Sequence, residues 1–133
     1  MKKIFCILSV VTLVSMMMSC NNNNSLRKEL LQMYNDTNKD CPMVIDRYTT
    51  LTSTLVIDNS LMYLYKVQQG LLDDLGLSKS YWKESQTQNI KNIYCTDPDM
   101  LWYRMNKVPV IWSYEYQDGT SLGKIEITTD DCN

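Results

Sequence analysis

The chain has 133 residues, 44% hydrophobic and 21% charged, with a net charge of −2 and no histidine. That length supports one domain, since dividing so small a core leaves two marginal ones, and the apolar content excludes low-complexity disorder. Mild acidity without a basic cluster excludes a nucleic-acid partner, and the missing histidine removes the commonest general base, metal ligand and pH switch.

The chain opens with MKKIFCILSVVTLVSMMMSC. Lys2 and Lys3 make a positive start, Ile4 to Val14 an apolar run, and Ser15 to Ser19 a stretch with small residues, which is the layout of a secretory signal peptide. The apolar run is too short and too interrupted for a spanning helix, which needs about 20 residues. Met17-Met18-Ser19-Cys20 resembles a bacterial lipobox, with Met17 where that pattern prefers Leu. The resemblance implies that residues 1–19 are a lipoprotein signal peptide. It also implies that Cys20 is acylated, palmitate included, and becomes the mature N-terminus, anchoring the protein to a membrane. The alternatives are an ordinary signal peptide cut nearby and a short uncleaved anchor. Residues 20–25 then form the lipidated cysteine and a flexible Asn tether, Asn21 to Asn24. Because Asn21 is not the aspartate that marks inner-membrane retention in such proteins, an outer membrane, facing the periplasm, is favoured.

Residues 26–133 are expected to be one domain. Leu26, Leu30, Met33 and Tyr34 have helical spacing, with Ser25 placed to cap the first turn and the polar Asn35 to Lys39 ending it. YTTLTSTLVI alternates, Leu51, Leu55 and Ile57 on one side against Thr50, Thr52 and Thr54 on the other. After the Asp58-Asn59-Ser60 turn, LMYLYKV returns as a second strand, and Gly70 ends it. Leu71 to Tyr94 is weakly helical, split near Gly76, with Trp82, Ile90 and Ile93 on an inner stripe. Pro98, following Asp97, starts a further short helix. Val108, Val110, Trp112, Tyr114 and Tyr116 then alternate into an Asp118-Gly119 turn, with Ile125 and Ile127 on the return strand. The expected fold class is α+β: two αββ-like units forming one antiparallel sheet with helices packed on one face. At the level of layout this is similar to small periplasmic inhibitor and PepSY-like domains, an analogy that carries no function.

Removal of Cys6 and acylation of Cys20 leave Cys41, Cys95 and Cys132, which allow three single disulfides. Cys95–Cys132 is favoured, because it joins a helix end to the segment after the last strand and pins the C-terminus. Closing that loop contributes about 3–4 kcal/mol in the chain-entropy model. Cys41 is then either a reactive thiol or a small apolar residue beside Pro42 and Met43. No histidine or Cys-x-x-Cys is present to activate it, which favours the second reading.

No catalytic constellation emerges. Ser78-Lys79-Ser80 reads as a helix cap, since adjacent helical residues do not face each other. Asp73-Asp74, Asp97/Asp99 and Asp130-Asp131 lack calcium-loop spacing, and the four glycines are scattered. Tyr63, Tyr65, Trp112, Tyr114 and Tyr116 are the candidate binding residues. At strand spacing each set lines one face, forming either the floor under the helices or an open interaction surface. Pro42, Val44, Asp46, Thr50, Leu51, Tyr63-x-Tyr65, Cys95, Tyr114-x-Tyr116, Gly123-x-Ile125 and Cys132 together resemble a group of uncharacterised small secreted bacterial proteins. That resemblance implies a fold and the Cys95–Cys132 bridge, and no activity.

The expected function is a membrane-anchored envelope lipoprotein acting as a non-catalytic binding module, of inhibitor or immunity type in its more specific form. It has no cofactor and no metal, and its partner is another envelope protein or a cell-wall component. The alternatives are an envelope enzyme using carboxylates or Cys41, and a purely structural component of a lipoprotein assembly.

Overall fold

A computed structural model describes residues 21–133. The expected signal peptide, Cys6 and Cys20 lie outside the described residues. The elements run α1 (Asn21–Asp40), β1 (Met43–Val44), β2 (Thr49–Ile57), β3 (Ser60–Val67), α2 (Leu71–Leu75), α3 (Lys79–Thr96), a 3-10 turn (Pro98–Met100), α4 (Leu101–Met105), β4 (Val110–Tyr116), β5 (Ser121–Ile127) and a 3-10 turn (Thr129–Cys132). The fold is α+β, with the helices on one side of a five-stranded sheet of order β1-β2-β3-β4-β5.

The sheet is mixed, which corrects the expectation of a wholly antiparallel one. Both hairpins form, β2 with β3 and β4 with β5, but β4 lies parallel to β3 in the register Leu61↔Val110 through Val67↔Tyr116. The cause is the long connection between them. Three α-helices and a 3-10 turn carry the chain from the end of β3 back to its starting end, so β4 enters in the same direction.

Helix α1 also departs from expectation. It begins at Asn21, so the four asparagines join its first turns instead of standing apart as a tether, and it continues to Asp40. Its C-terminal turn is held by Asn38. The Asn38 Oδ1 accepts from the Thr54 amide (2.7 Å) and hydroxyl (3.1 Å), and its Nδ2 donates to the Thr54 carbonyl (3.2 Å). These bonds satisfy the buried polar Thr54 on a strand that β1 covers over only two residues.

Between Leu51 and Ser53 the β2–β3 register slips by one residue. A bulge of this kind reverses the faces beyond it. Leu51 and Thr54 are therefore both buried, while Leu55 and Ile57 are 40% and 42% exposed on the other side. The predicted Leu51/Leu55/Ile57 stripe is split at that point. The Thr52 hydroxyl at the slip donates to the Leu64 carbonyl (3.0 Å).

Leu30 of α1, Trp82, Ile90 and Tyr94 of α3 and Tyr103 of α4 pack on Leu61, Val110, Trp112, Ile125 and Ile127 to form the core. The Tyr94 hydroxyl, fully buried, donates to the Val108 carbonyl (3.0 Å). A disulfide joins Cys95, near the end of α3, to Cys132, with Cα atoms 5.4 Å apart.

Candidate functional site

The sheet's helix-covered face carries a double row of aromatic rings. Parallel pairing sets Tyr63 beside Trp112 and Tyr65 beside Tyr114. The rings stack with centroids 5.9 Å and 4.9 Å apart, and Trp82 meets Tyr114 edge-on at 5.2 Å. Offset-stacked and edge-on pairs are the favourable aromatic arrangements. Trp112 and Tyr114 are only 5% and 8% exposed, and Tyr63, Tyr65 and Tyr116 are half-buried. The five aromatics thus lie beneath helices and not on an open sheet.

The helices do not close over them completely. A cleft of about 470 Å³ has Tyr65, Trp112 and Tyr114 on its floor. One wall is α3, contributing Trp82, Gln86, Asn89 and Ile93. The other is α2 with the 45–49 loop, contributing Ile45, Tyr48, Leu71 and Leu75. Tyr63 and Tyr116 do not line it.

Local chemistry fixes each wall. Asp46 Oδ1 accepts from the amides of Tyr48 and Thr49 (2.8 Å each), closing an Asx-type turn that aims the loop. The Tyr48 hydroxyl donates to Asp74 (3.1 Å), tying loop to helix, and Arg47 lies 4.7 Å from the Tyr48 ring centroid. Helix α3 is started by the Ser78 hydroxyl, which accepts from the Tyr81 amide (3.2 Å). Gly123 lets α3 come close to β5, since a Cβ there would stand 3.3 Å from the Trp82 ring. Sequence reasoning missed the loop and the amide side chains of α3. Positions 82, 86, 89 and 93 repeat at helical spacing, so half of this wall was visible as a mixed apolar and amide stripe.

The cleft is neutral in character. Burial pushes the floor phenols of Tyr65 and Tyr114 upward, that of Tyr114 to about 12 with a further contribution from Asp46. They remain protonated hydrogen-bonding groups at neutral pH. Asp46 alone among the lining residues bears a carboxylate, and it is engaged in its own turn.

Elsewhere the candidate reactive groups are occupied structurally. Ser78 caps α3, while Lys79 Nζ donates to the Ser121 carbonyl (3.0 Å). Asp97 caps the 3-10 turn through the Asp99 amide (2.9 Å), and Asp131 accepts from the Thr128 amide (2.7 Å). Cys41 is a free, partly buried thiol raised first by burial and then by Asp40. Among the described residues no three His, Cys, Asp or Glu side chains gather as a metal site, and no helix is long and apolar enough to cross a membrane.

No protein-family model matches the chain, and no curated protein matches it in sequence. Solved structures do share the fold. A protein from Pseudomonas aeruginosa described as secreted superposes with a TM-score of 0.73 at 12% identity, covering 84% of this chain and 96% of its own. EpsS, the pilotin of the Vibrio vulnificus type 2 secretion system, gives 0.68 at 10% identity, covering 84% and 94%. AspS, the type II secretion system pilotin of Vibrio cholerae, gives 0.65 at 9% identity, covering 83% and 94%. At such identities the likeness is one of fold.

Proposed function

We propose that this chain is a non-catalytic, lipid-anchored protein of the bacterial cell envelope that holds a peptide segment of another envelope protein in its aromatic-floored cleft. The cleft carries the reading. It is large enough for several side chains, its floor is made of packed aromatic rings, and apart from Asp46 the groups around it are apolar, amide, hydroxyl or phenol. Ile45 and Leu75 stand 55% and 50% exposed on one lip, opposite Gln86 and Asn89 on the other. An amphipathic peptide matches both lips, whereas a polar cell-wall glycan would leave the apolar one uncovered.

Two proteins that share the fold are pilotins of type II secretion systems, so a component of an envelope secretion system is the favoured partner class. In this reading residues 1–19 are removed as a signal peptide, Cys20 carries the acyl chains, and the domain stands on the outer membrane facing the periplasm.

Site-specific photo-crosslinking in intact cells tests the cleft. A crosslinking residue at Gln86 should give one discrete envelope-protein adduct. The same residue at Lys124, an exposed position on β5, should give none. Leu75→Asp should remove the Gln86 adduct, since it sets a charge on the apolar lip. Equal adducts from both positions, or an adduct indifferent to Leu75→Asp, would sink the assignment.

A further inference from the structure

The cleft holds polar atoms that the fold itself does not use. Trp112 and Tyr114 are more than nine-tenths buried, and Tyr65 lies half-buried beside Tyr114. The Trp112 indole N–H and the Tyr65 and Tyr114 hydroxyls nonetheless make no hydrogen bond among the described residues. No fully buried side-chain nitrogen or oxygen there lacks a partner, so these three heads meet solvent, in the cleft they line. Comparable heads are engaged inside the fold. Tyr94 donates to the Val108 carbonyl (3.0 Å) and the Trp102 indole to Glu29 (2.7 Å).

The spacing of the free heads carries information about what meets them. Trp112 and Tyr114 are two residues apart on β4, about 6.6 Å along the strand, with Tyr65 next to Tyr114 on β3. Carbonyls on one edge of an extended peptide recur at that same two-residue interval. An indole only donates, so at Trp112 the occupant must present an acceptor. That acceptor is uncharged. No lysine or arginine lines the cleft, whereas Asp46 does, and Asp74 joins the same wall through its bond from Tyr48. The neighbouring Arg47 lies 4.7 Å from the Tyr48 ring centroid, one cation against two acids. A carboxylate or phosphate would lose its water there without a cation to replace it. A helix spends its carbonyls internally except in the last turn, while an extended segment offers every second one along an edge.

On the premise of the proposed function, that the occupant is a peptide, we propose that the cleft reads the main chain of an extended segment standing edge-on to the floor. Successive same-edge carbonyls accept from the Trp112 indole and the Tyr114 hydroxyl. The phenol oxygen of Tyr65, which accepts as well as donates, serves the N–H groups of that edge. Side chains then alternate between the walls, apolar ones against Ile45 and Leu75 and polar ones against Gln86 and Asn89. This accounts for two lips of different chemistry, and it leaves the exact sequence of the occupant free.

Because the recognition is of main chain, simple synthetic probes test it. Two blocked decapeptides share one composition, four leucines and four glutamines between terminal lysines. One alternates Leu and Gln, and the other sets the leucines at helical spacing. Each is titrated into the full mature protein, purified from cell envelopes in detergent, and the indole N–H resonances are followed by NMR. The alternating peptide should move the Trp112 resonance and leave that of Trp102, already bonded to Glu29, in place. The helically spaced peptide should bind about tenfold more weakly, lacking the two carbonyl bonds. Tyr114→Phe removes only an oxygen without an internal partner, so it should weaken the alternating peptide about fivefold at an unchanged melting temperature. A Trp112 resonance that neither peptide moves, equal binding of the two peptides, or full affinity in Tyr114→Phe overturns the main-chain reading. If the Gln86 crosslink persists in that case, the cleft still holds a peptide; if it is absent as well, both readings fall.

Discussion

Asn38 does for β2 what a neighbouring strand would otherwise do. Its amide matches donor to acceptor and acceptor to donor at Thr54, a residue with no exposed surface. Asn38→Ala leaves the Thr54 amide, carbonyl and hydroxyl without partners, and should cost about 2–3 kcal/mol in urea unfolding. Nothing in the sequence marks Thr54 for this role. Strict alternation groups it with Thr50 and Thr52 on the outer side, and the single-residue slip that turns it inward leaves no local signature. The tyrosines make a second prediction at this scale. Burial holds the phenols of Tyr65, Tyr103 and Tyr114 above the ordinary value near 10. The folded state keeps those protons longer than the unfolded one. Their contribution is whole below about pH 10 and is lost as pH climbs towards 12, at about 1.4 kcal/mol per pH unit for each phenol. With no histidine in the chain, urea midpoints should stay level from about pH 6 to about 9 and then fall steeply.

At the scale of elements, the four longer strands and the disulfide were legible, while the two-residue β1 and the path between the hairpins were not. Alternation from Val108 to Tyr116 and the Asp-Gly turn place the second hairpin correctly, because a strand that buries one face must write it at period two. The direction of β4 relative to β3 depends on where the intervening helices deposit the chain, and no short-range pattern encodes that. The start of α1 was missed for a related reason. Asparagine has weak helix propensity, and Asn21 to Asn24 are helical as an extension of turns anchored by Leu26 and Leu30. Two substitutions probe the element ends. Lys107→Gly should raise stability by about 1 kcal/mol in thermal or urea unfolding, because it relieves the left-handed backbone at the end of α4. The Cys95→Ser, Cys132→Ser pair should lower it by about 3–4 kcal/mol relative to the oxidised protein, since the bridge closes a long segment with a sequence separation of 37.

For the molecule as a whole, the aromatic residues were legible as a set before their setting was. Spacing puts Tyr65, Trp112 and Tyr114 on one face, and only the packed helices decide that this face becomes the floor of a cleft. Under the proposed function, attachment rests on acylation of Cys20. Cys20→Ser should move the protein from detergent-extracted membranes to the soluble fraction in cell fractionation. The melting temperature of the domain should not change, because its core contacts all lie beyond that residue. Gly123→Ala should act oppositely, leaving attachment intact while pushing the Trp82 ring by a few tenths of an ångström and weakening partner capture.

The placement of α1 along β2, from Arg27 at Asp58 to Asn38 at Thr54, also has a mechanical meaning. An anchor at one end of the strands and a cargo held at the other would stretch the domain along the strand axis. Ladder hydrogen bonds run across that axis, so tension would load many of them together in shear and would not peel them one by one. Under the proposed function, a fold tethered this way would resist being pulled apart by its own cargo.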